Sequence, residues 1–215
     1  MKAQRPPNTE ILYGIHPVTE ALKAARRQVF RIYISAEKPG KRIGKLAEKA
    51  RKNDIFFFFL ARDQLRKICQ NDHHQDIAAR VSLFAHTPLS ELLSPTGGVS
   101  KDAFFLVLDS MMDPRNLGAL VRTAVCMGVD AVIIPRDRSA GPGPAASRAS
   151  AGALEHARIC VVTNLAACVK DLKKSGFWII GLDHLAHESI DQIDMTGSCA
   201  LIVGGEDAGI RPLVK

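Results

Sequence analysis

Three polar side chains have residue types that could act together on an anionic substrate: Asn116, Arg122 and Glu206. A guanidinium two turns into a helix can bind a phosphate or carboxylate through paired N–H groups. Asn116 lies in the polar turn before that helix, and Glu206 lies in a glycine-rich turn near the end of the sequence. Each residue alone is also typical of a solvent-exposed surface. Their predicted convergence at one end of one sheet favours a functional site.

A strand, a turn and a helix are predicted around Asn116. Residues 103–109 form an apolar run closed by an acid, which is typical of a strand buried on both faces. Asp113 followed by Pro114 is the pattern of a helix N-cap with proline at the first helical position. Apolar residues then recur at the three-and-four spacing of one buried helix face: Leu117, Leu120, Val121, Ala124 and Val125. Arg122 lies off that face.

The second half of the sequence alternates between apolar runs and helical segments. After the first run, the predicted strands are 130–135, 158–163, 177–181 and 199–203, with helices at 145–154 and 165–175. Such alternation predicts a parallel sheet, which binds ligands at the carboxyl ends of its strands. Three polar loops fall there: 113–116, 137–148 and 204–209. The last loop lacks the GxGxxG spacing and follows the final strand, which argues against a dinucleotide-dependent oxidoreductase.

Basic residues are concentrated in the first part of the sequence. Residues 1–80 contain 17 Lys and Arg against 8 Asp and Glu, whereas residues 81–215 contain 12 against 14. This asymmetry favours a basic N-terminal module that binds a polyanion and a near-neutral C-terminal module that acts on it. The alternative is a solvated basic surface without a partner. The predicted elements form a small α/β/α domain: a helix after a turn at Gly14, strands at 29–34, 55–60 and 76–84, and helices at 41–53 and 62–69.

The helix 41–53 has the most basic face of this domain. With the polar stretch 71–75 it is the predicted ligand-facing surface. The candidate polyanion-binding residues are Lys41, Arg42, Lys45, Lys49 and, at the end of the second polar loop, Arg148. The adjacent His73 and His74 diverge and have no third ligand at a suitable spacing, so no metal site is predicted.

Length and composition indicate a two-domain protein. The 215 residues, 47% of them hydrophobic, predict domains at 1–84 and 103–215, joined by a linker at 85–102 that is rich in His, Thr, Pro, Ser and Gly. The five cysteines are odd in number and lie mostly in apolar segments, so they are predicted to be reduced core residues. The sequence has no apolar stretch typical of a signal peptide or a membrane span, which predicts a cytoplasmic protein without a membrane partner.

Two motifs resemble those of a known family. Residues 116–124 (NLGALVRTA) and 201–210 (LIVGGEDAGI) resemble the first and second motifs of the SpoU/TrmH branch of the SPOUT methyltransferases. Residues 13–22 (YGIHPVTEAL) and 74–81 (HQDIAARV) resemble the N-terminal signature of the RlmB-type enzymes of this branch. Those enzymes methylate guanosine 2′-hydroxyls in large-subunit ribosomal RNA, and the resemblance covers nearly the whole sequence.

The resemblance implies an N-terminal RNA-binding domain similar to a small ribosomal protein and a knotted α/β domain that uses S-adenosylmethionine. It also implies a homodimer with active sites near the subunit interface. By position in the motifs, Arg122 would help to activate the ribose 2′-hydroxyl and would bind the adjacent phosphate. Asn116 would orient the 2′-hydroxyl, and Glu206 would organise the pocket. The residues near the cofactor would be Gly204, Gly205 and Leu182.

The sequence departs from the family pattern at its end. The family has a third motif after the second, with a proline-containing strand and a helix that begins with Ser-Leu-Asn, and the printed sequence ends at Lys215. In a chain without this segment, cofactor affinity, the knot and the dimer interface are expected to be compromised. Two alternatives therefore stay open beside an rRNA methyltransferase: an inactive RNA-binding homologue and a tRNA 2′-O-methyltransferase.

Overall fold

A computed structural model of the chain describes residues 8–37, 40–94 and 102–215; within the second range, the side chains of residues 41, 45, 47, 49 and 52 are not described. The chain forms two compact units. The N-terminal unit comprises residues 1–85 and 142–156, and the C-terminal unit comprises residues 86–141 and 157–215. In chain order the helices and strands are β1 (Thr9–Tyr13), α1 (Ile15–Ala24), β2 (Val29–Ser35), α2 (Lys41–Lys52), β3 (Phe56–Leu60), α3 (Arg62–Cys69), β4 (Ile77–Ser82), α4 (Leu89–Leu92), β5 (Phe104–Asp109), α5 (Pro114–Cys126), β6 (Ala131–Pro135), α6 (Pro144–Ala149), β7 (Ile159–Val162), α7 (Leu165–Lys174), β8 (Trp178–Gly181) and β9 (Cys199–Gly204).

The N-terminal unit is built on a four-stranded mixed sheet in the order β1-β4-β2-β3. β4 pairs antiparallel with β1 and β2, whereas β2 and β3 are parallel. One face packs against α1 and α2 through residues such as Leu12 and Ile32, and the other packs against α3 through Tyr33 and Leu65. The predicted α/β/α arrangement is therefore confirmed. Strand β1 was missed, because its five residues are stabilised by pairing with the distant β4 rather than by any local pattern.

The C-terminal unit contains a five-stranded, wholly parallel sheet in the order β7-β6-β5-β9-β8. The central strand β5 is buried on both faces, with Phe105, Val107 and Leu108 at 0% exposure. The prediction of a parallel sheet is therefore confirmed.

Part of the predicted linker also packs in the C-terminal unit. Leu92 of the short helix α4 is buried in the main apolar core, and the Thr87 amide donates to the Ile159 carbonyl at 2.9 Å. The polar composition of 85–102 concealed these anchors, since two leucines three residues apart suffice to bury one face of a helical turn. Residues 95–101 of that stretch lie outside the described residues.

The segment 142–156 belongs by its contacts to the N-terminal unit, although the sequence analysis placed its helix in the C-terminal domain. The segment contains α6 and a short 3-10 turn at Ala153–His156. Arg27 Nη1 lies 3.6 Å from Glu155 Oε1, and both side chains are almost fully buried. The Ser147 hydroxyl donates to Glu155 at 2.7 Å. Burial raises the pKa of Glu155, while Ser147 and Arg27 act in the opposite direction.

Four of the five cysteines are buried, and Cys126 at the end of α5 is exposed. The expectation of core cysteines is therefore wrong for Cys126, because it lies on the exposed side of α5 with Arg122 and Thr123. Burial raises the pKa of Cys69 and Cys160 to about 11 and that of Cys168 to about 12.

A thiol titration should distinguish Cys126 from the other cysteines. We expect Ellman's reagent to label one thiol per native chain rapidly, since only an accessible thiol that ionises reacts. All five should react in guanidinium chloride, and Cys126→Ser should abolish the rapid native reaction. Rapid reaction of a second native thiol would contradict the burial described above.

Within the described ranges, no helix is long and apolar enough to cross a membrane. No group of three His, Cys, Asp or Glu side chains in those ranges is arranged to hold a metal ion.

Candidate active site

The turn after β5 begins helix α5 at the predicted position. Asp113 is the N-cap and accepts a hydrogen bond from the Arg115 amide at 2.7 Å, with Pro114 in the first turn. The Arg115 guanidinium also donates to the Asp113 carboxylate at 2.7 Å, and this hydrogen bond lowers the pKa of Asp113. The cap and the proline therefore fix the direction in which α5 leaves the sheet.

Asn116 and Glu206 are in direct contact. Asn116 Nδ2 donates to Glu206 Oε1 at 2.5 Å, across 90 residues of sequence. They meet because β5 and β9 are adjacent parallel strands with Asp109 opposite Gly204, so the loops that follow the two strands leave the same edge of the sheet. The structure thus brings together two of the three predicted catalytic residues.

Arg122 lies on α5 with its side chain exposed. It lies six positions after Asn116 in the sequence, which corresponds to about 9 Å along the helix axis. Among the described residues, no hydrogen bond or ion pair engages its guanidinium. Arg122 therefore does not join the contact between Asn116 and Glu206 within this chain, and its guanidinium remains accessible to a ligand.

The turn after β9 requires glycine at two positions. A Cβ atom on Gly204 would lie 2.0 Å from the carbonyl carbon of Gly209, and one on Gly205 would lie 2.7 Å from the Ser110 carbonyl oxygen. The Gly209 amide closes the turn by donating to the Gly205 carbonyl at 3.0 Å. These glycines are therefore needed for packing within the chain. Their predicted proximity to a cofactor stays a prediction.

A buried ion pair anchors the far end of this turn. The Asp109 carboxylate, at 0% exposure, accepts hydrogen bonds from the Arg211 amide at 2.9 Å and from Arg211 Nε at 2.7 Å. The Ser110 hydroxyl also donates to it at 3.2 Å. The turn that holds Glu206 is therefore tied to the end of β5. The sequence analysis missed this role, although an acid that closes an otherwise apolar strand was a signal for a buried partner.

Removing the Arg211 side chain should loosen the turn. We expect Arg211→Ala to lower the free energy of unfolding by about 1.5 to 3 kcal/mol, because Asp109 would lose a charge-assisted hydrogen bond in a buried position. Urea denaturation would measure this change. Arg136→Ala is the matched control, since Arg136 is exposed and its side chain has no partner among the described residues. Equal stability of both variants would contradict the anchoring role.

Leu182 lies in a cleft of about 700 Å³ at the carboxyl end of β8. Its amide donates to the Ile202 carbonyl at 2.9 Å, which fixes the backbone beside β9. The lining combines the apolar side chains of Ile180, Leu182, Ile190 and Ile193 with the carboxylates of Asp183 and Glu188 and the imidazoles of His184 and His187. This volume is typical of small-ligand pockets, and apolar walls with nearby carboxylates suit a nucleoside, whose base is flat and whose ribose donates hydrogen bonds.

The predicted RNA-binding residues all lie in the N-terminal unit. Arg42 is exposed on α2, and the helix buries Ile43, Leu46 and Ala50 on its other face. The side chains of the remaining α2 residues, Lys41, Lys45 and Lys49, lie outside the described residues. Arg148 donates to the His73 carbonyl, and its guanidinium carbon lies 5.4 Å from the centre of the Tyr13 ring. Its guanidinium is thus partly engaged, and its role in RNA binding stays a prediction.

The polar stretch 71–75 makes several internal hydrogen bonds. His74 is buried, and its Nδ1 accepts from the Asp76 amide at 3.1 Å, while burial lowers the pKa of the imidazole. Gln75 Oε1 accepts from the Ile15 amide at 3.0 Å, at the start of α1. These two side chains therefore stabilise the turns next to the sheet. The ligand-facing role of residues 71–75 stays a prediction.

Family descriptions match both parts of the chain. Residues 103–215 match the SpoU rRNA methylase family, and residues 11–86 match the substrate-binding domain of RNA 2′-O ribose methyltransferases. The 23S rRNA (guanosine-2′-O-)-methyltransferase RlmB of Coxiella burnetii is 37% identical, with 95% of this chain and 81% of that protein covered. The protein of the same name from Neisseria meningitidis is 34% identical, with 100% and 83% covered.

Solved structures share this fold. The SpoU methyltransferase AviRb from Streptomyces viridochromogenes, in complex with AdoMet, has a TM-score of 0.79 at 19% identity and covers 95% of this chain and 76% of its own. The AdoMet-bound rRNA methyltransferase from Sinorhizobium meliloti has a TM-score of 0.72 at 18% identity, and the match covers 95% of this chain and 73% of that one. The resemblance inferred from the motifs is therefore confirmed, and the chain belongs to the SpoU rRNA methylase family.

Proposed function

We propose that this protein is an RNA methyltransferase that uses S-adenosylmethionine to methylate the 2′-hydroxyl of a guanosine in 23S ribosomal RNA. The contact between Asn116 and Glu206 at the carboxyl edge of the sheet is the single observation on which the site rests. The names of relatives that are 34 and 37% identical over nearly the whole chain support the substrate.

The reaction requires help with a poor nucleophile. A ribose hydroxyl has a pKa far above neutral, so the site must stabilise negative charge on its oxygen as the methyl group transfers. Bound S-adenosylmethionine would supply an electrophilic methyl group to the ribose oxygen and leave as S-adenosylhomocysteine, while the hydroxyl proton would pass to solvent. Arg122 would stabilise the developing oxyanion rather than act as a base, since a guanidinium stays protonated. Asn116, held by Glu206, would orient the ribose, and positioning of this kind can supply about 7 to 11 kcal/mol.

The residues at the ends of β8 and β9 suit the cofactor. Leu182 and the cleft beside it would hold the adenosine moiety, with its base against the apolar side chains and its ribose near a carboxylate. Gly204 and Gly205 would border the same region through their main-chain groups. The cleft has the volume and the chemistry for such a nucleoside.

The exposed position of Arg122 suits a site that is completed by a second subunit. We propose a homodimer, in which a partner covers the surface of α5 that Arg122 occupies. We further propose that the C-terminal unit adopts the knotted arrangement implied by the motifs, that the N-terminal unit binds the RNA, and that the protein acts on ribosomal RNA in the cytoplasm.

Two assays would test the proposal. The protein, S-adenosylmethionine labelled in the methyl group and unmethylated 23S rRNA should yield 2′-O-methylguanosine, while tRNA under the same conditions should stay unlabelled. Calorimetry with S-adenosylhomocysteine should show binding. If tRNA is labelled and rRNA is not, the protein is a tRNA enzyme. If no RNA is methylated and S-adenosylhomocysteine does not bind, the protein is an inactive RNA-binding homologue.

A further inference from the structure

One face of the N-terminal sheet is only partly covered by a helix. α3 packs over one end of this face, against Tyr13, Tyr33 and Ala78. The other end presents large apolar rings on the edge strand β3, where Phe56 is 74% exposed and Phe58 is 43% exposed. Exposed apolar side chains that form a contiguous patch mark interaction sites.

Basic side chains lie on the same face as these rings. β2 and β3 are parallel, with Arg31 opposite Phe56 and Tyr33 opposite Phe58. The guanidinium carbon of Arg31 lies 5.7 Å from the centre of the Phe58 ring, and the centres of the Tyr33 and Phe58 rings are 6.2 Å apart. Since side chains alternate along a strand, Phe56 points to this face as well.

The face continues across the sheet into a cleft of about 670 Å³. Arg80 lies along it, donating from Nε to the Tyr33 hydroxyl at 3.3 Å and from Nη1 to the Thr9 hydroxyl at 3.2 Å. Lys67 of α3 lines the same cleft. A row of cationic groups therefore runs from the two exposed rings towards the opposite edge of the sheet.

The charge of this surface selects its partner. No carboxylate among the described residues pairs with Arg31, Arg80 or Lys67. Residues 1–80 have a net charge of +9, from 17 basic and 8 acidic residues. Two copies of so basic a face would repel each other, whereas a polyanion would be attracted. Aromatic rings beside arginines are the combination that binds unpaired nucleotides, with bases stacked on the rings and phosphates neutralised by the cations.

We propose that this phenylalanine face, formed by Phe56, Phe58, Arg31, Arg80 and Lys67, binds unpaired nucleotides of the RNA substrate. The proposal rests on the proposed function and adds a surface to it. The basic helix α2 packs on the opposite side of the sheet. The phenylalanine face would thus select single-stranded segments through stacking, and the outer face of α2 would add attraction that is independent of RNA structure.

Fluorescence anisotropy with the full chain would test this face directly. The probe is a short fluorescein-labelled single-stranded RNA of mixed sequence, alone or annealed to its complement. Phe56→Leu should weaken binding of the single strand about 5- to 150-fold, the loss of stacking on one base, because leucine keeps apolar bulk without a ring. Binding of the duplex should not change. Arg31→Ala should reduce the slope of log K against log salt by about 0.7.

Phe59→Leu is the matched control. Phe59 is 57% exposed on the same strand but packs edge-on against Phe57, on the other face. Its replacement should leave binding of the single strand unchanged. If Phe56→Leu and Phe59→Leu lose equal affinity for the single strand, or if Phe56→Leu binds it like the unmodified protein, the proposed role of the phenylalanine face is wrong. The methyltransferase proposal is unaffected by either result. Failure of the unmodified protein to bind the single strand would also overturn the phenylalanine face, whereas the methylation assay decides the methyltransferase proposal separately. Loss of self-association in Phe56→Leu with unchanged RNA affinity would assign the face to a second copy instead.

Discussion

Arg122→Ala should lower the rate constant of methyl transfer about 100- to 1000-fold, which is the usual effect of removing one group that stabilises an oxyanion. The guanidinium of Arg122 has no partner among the described residues, so its loss should not disturb the packing of α5. RNA affinity should stay nearly unchanged, because a single phosphate contact contributes a small part of binding to a polyanion. Single-turnover methylation at saturating cofactor, beside a binding isotherm, would separate the two effects.

Two variants make this test specific. Lys170→Ala removes an exposed cation from α7 and should leave the rate unchanged. Arg122→Lys keeps the charge but loses the forked pair of donors, so it should recover only part of the rate. Full activity of Arg122→Ala would exclude Arg122 from the mechanism.

Gly204→Ala should disrupt the turn that holds Glu206. The added Cβ atom would lie 2.0 Å from the carbonyl carbon of Gly209 and 2.3 Å from the Ile210 nitrogen, and no rotamer can relieve a clash with main-chain atoms. We expect a loss of stability of about 3 kcal/mol or more. In a chain of this size that corresponds to a melting temperature lower by about 6 to 12 °C. Activity should fall as well, because the contact between Asn116 and Glu206 depends on this turn.

Gly141→Ala is the control for the general effect of a methyl group at a glycine. No atom lies within 4 Å of the Cβ position at Gly141, which is an exposed loop residue of the same unit. Its melting temperature should match that of the unmodified protein or rise slightly. A Gly204→Ala protein with an unchanged melting temperature would show that the turn can open without cost.

The sequence predicted those elements that local patterns determine. The buried run before Asp109 and the cap at Asp113 predicted β5 and the start of α5 to within a residue, since burial and capping act over a few positions. Strand β1 was not predicted, because an edge strand of five residues depends on its partner β4. The packing of 142–156 was not predicted for the same reason, as Arg27 and Glu155 are far apart in the sequence.

The candidate site was also predicted only in part. Parallel strands with polar loops at their carboxyl ends predicted that Asn116 and Glu206 would meet, and they do. The bond between Asp109 and Arg211 was not foreseen, because nothing local distinguishes a paired arginine from an exposed one. Arg122 was grouped with Asn116 because both were expected at the carboxyl end of the sheet, but a shift of six positions along α5 turns their side chains in different directions.

The packing of 142–156 into the N-terminal unit has a consequence for evolution and for protein engineering. The chain passes from one unit to the other three times, so neither unit is formed by one continuous stretch of the sequence. A chimera joined at residue 86 would unite Arg27 of one parent with position 155 of another. A mismatch there would remove one of the two carboxylates that pair with the buried Arg27 and leave it with Glu10 alone. Exchange of RNA specificity between relatives should therefore succeed only when residues 142–156 are transferred together with residues 1–85.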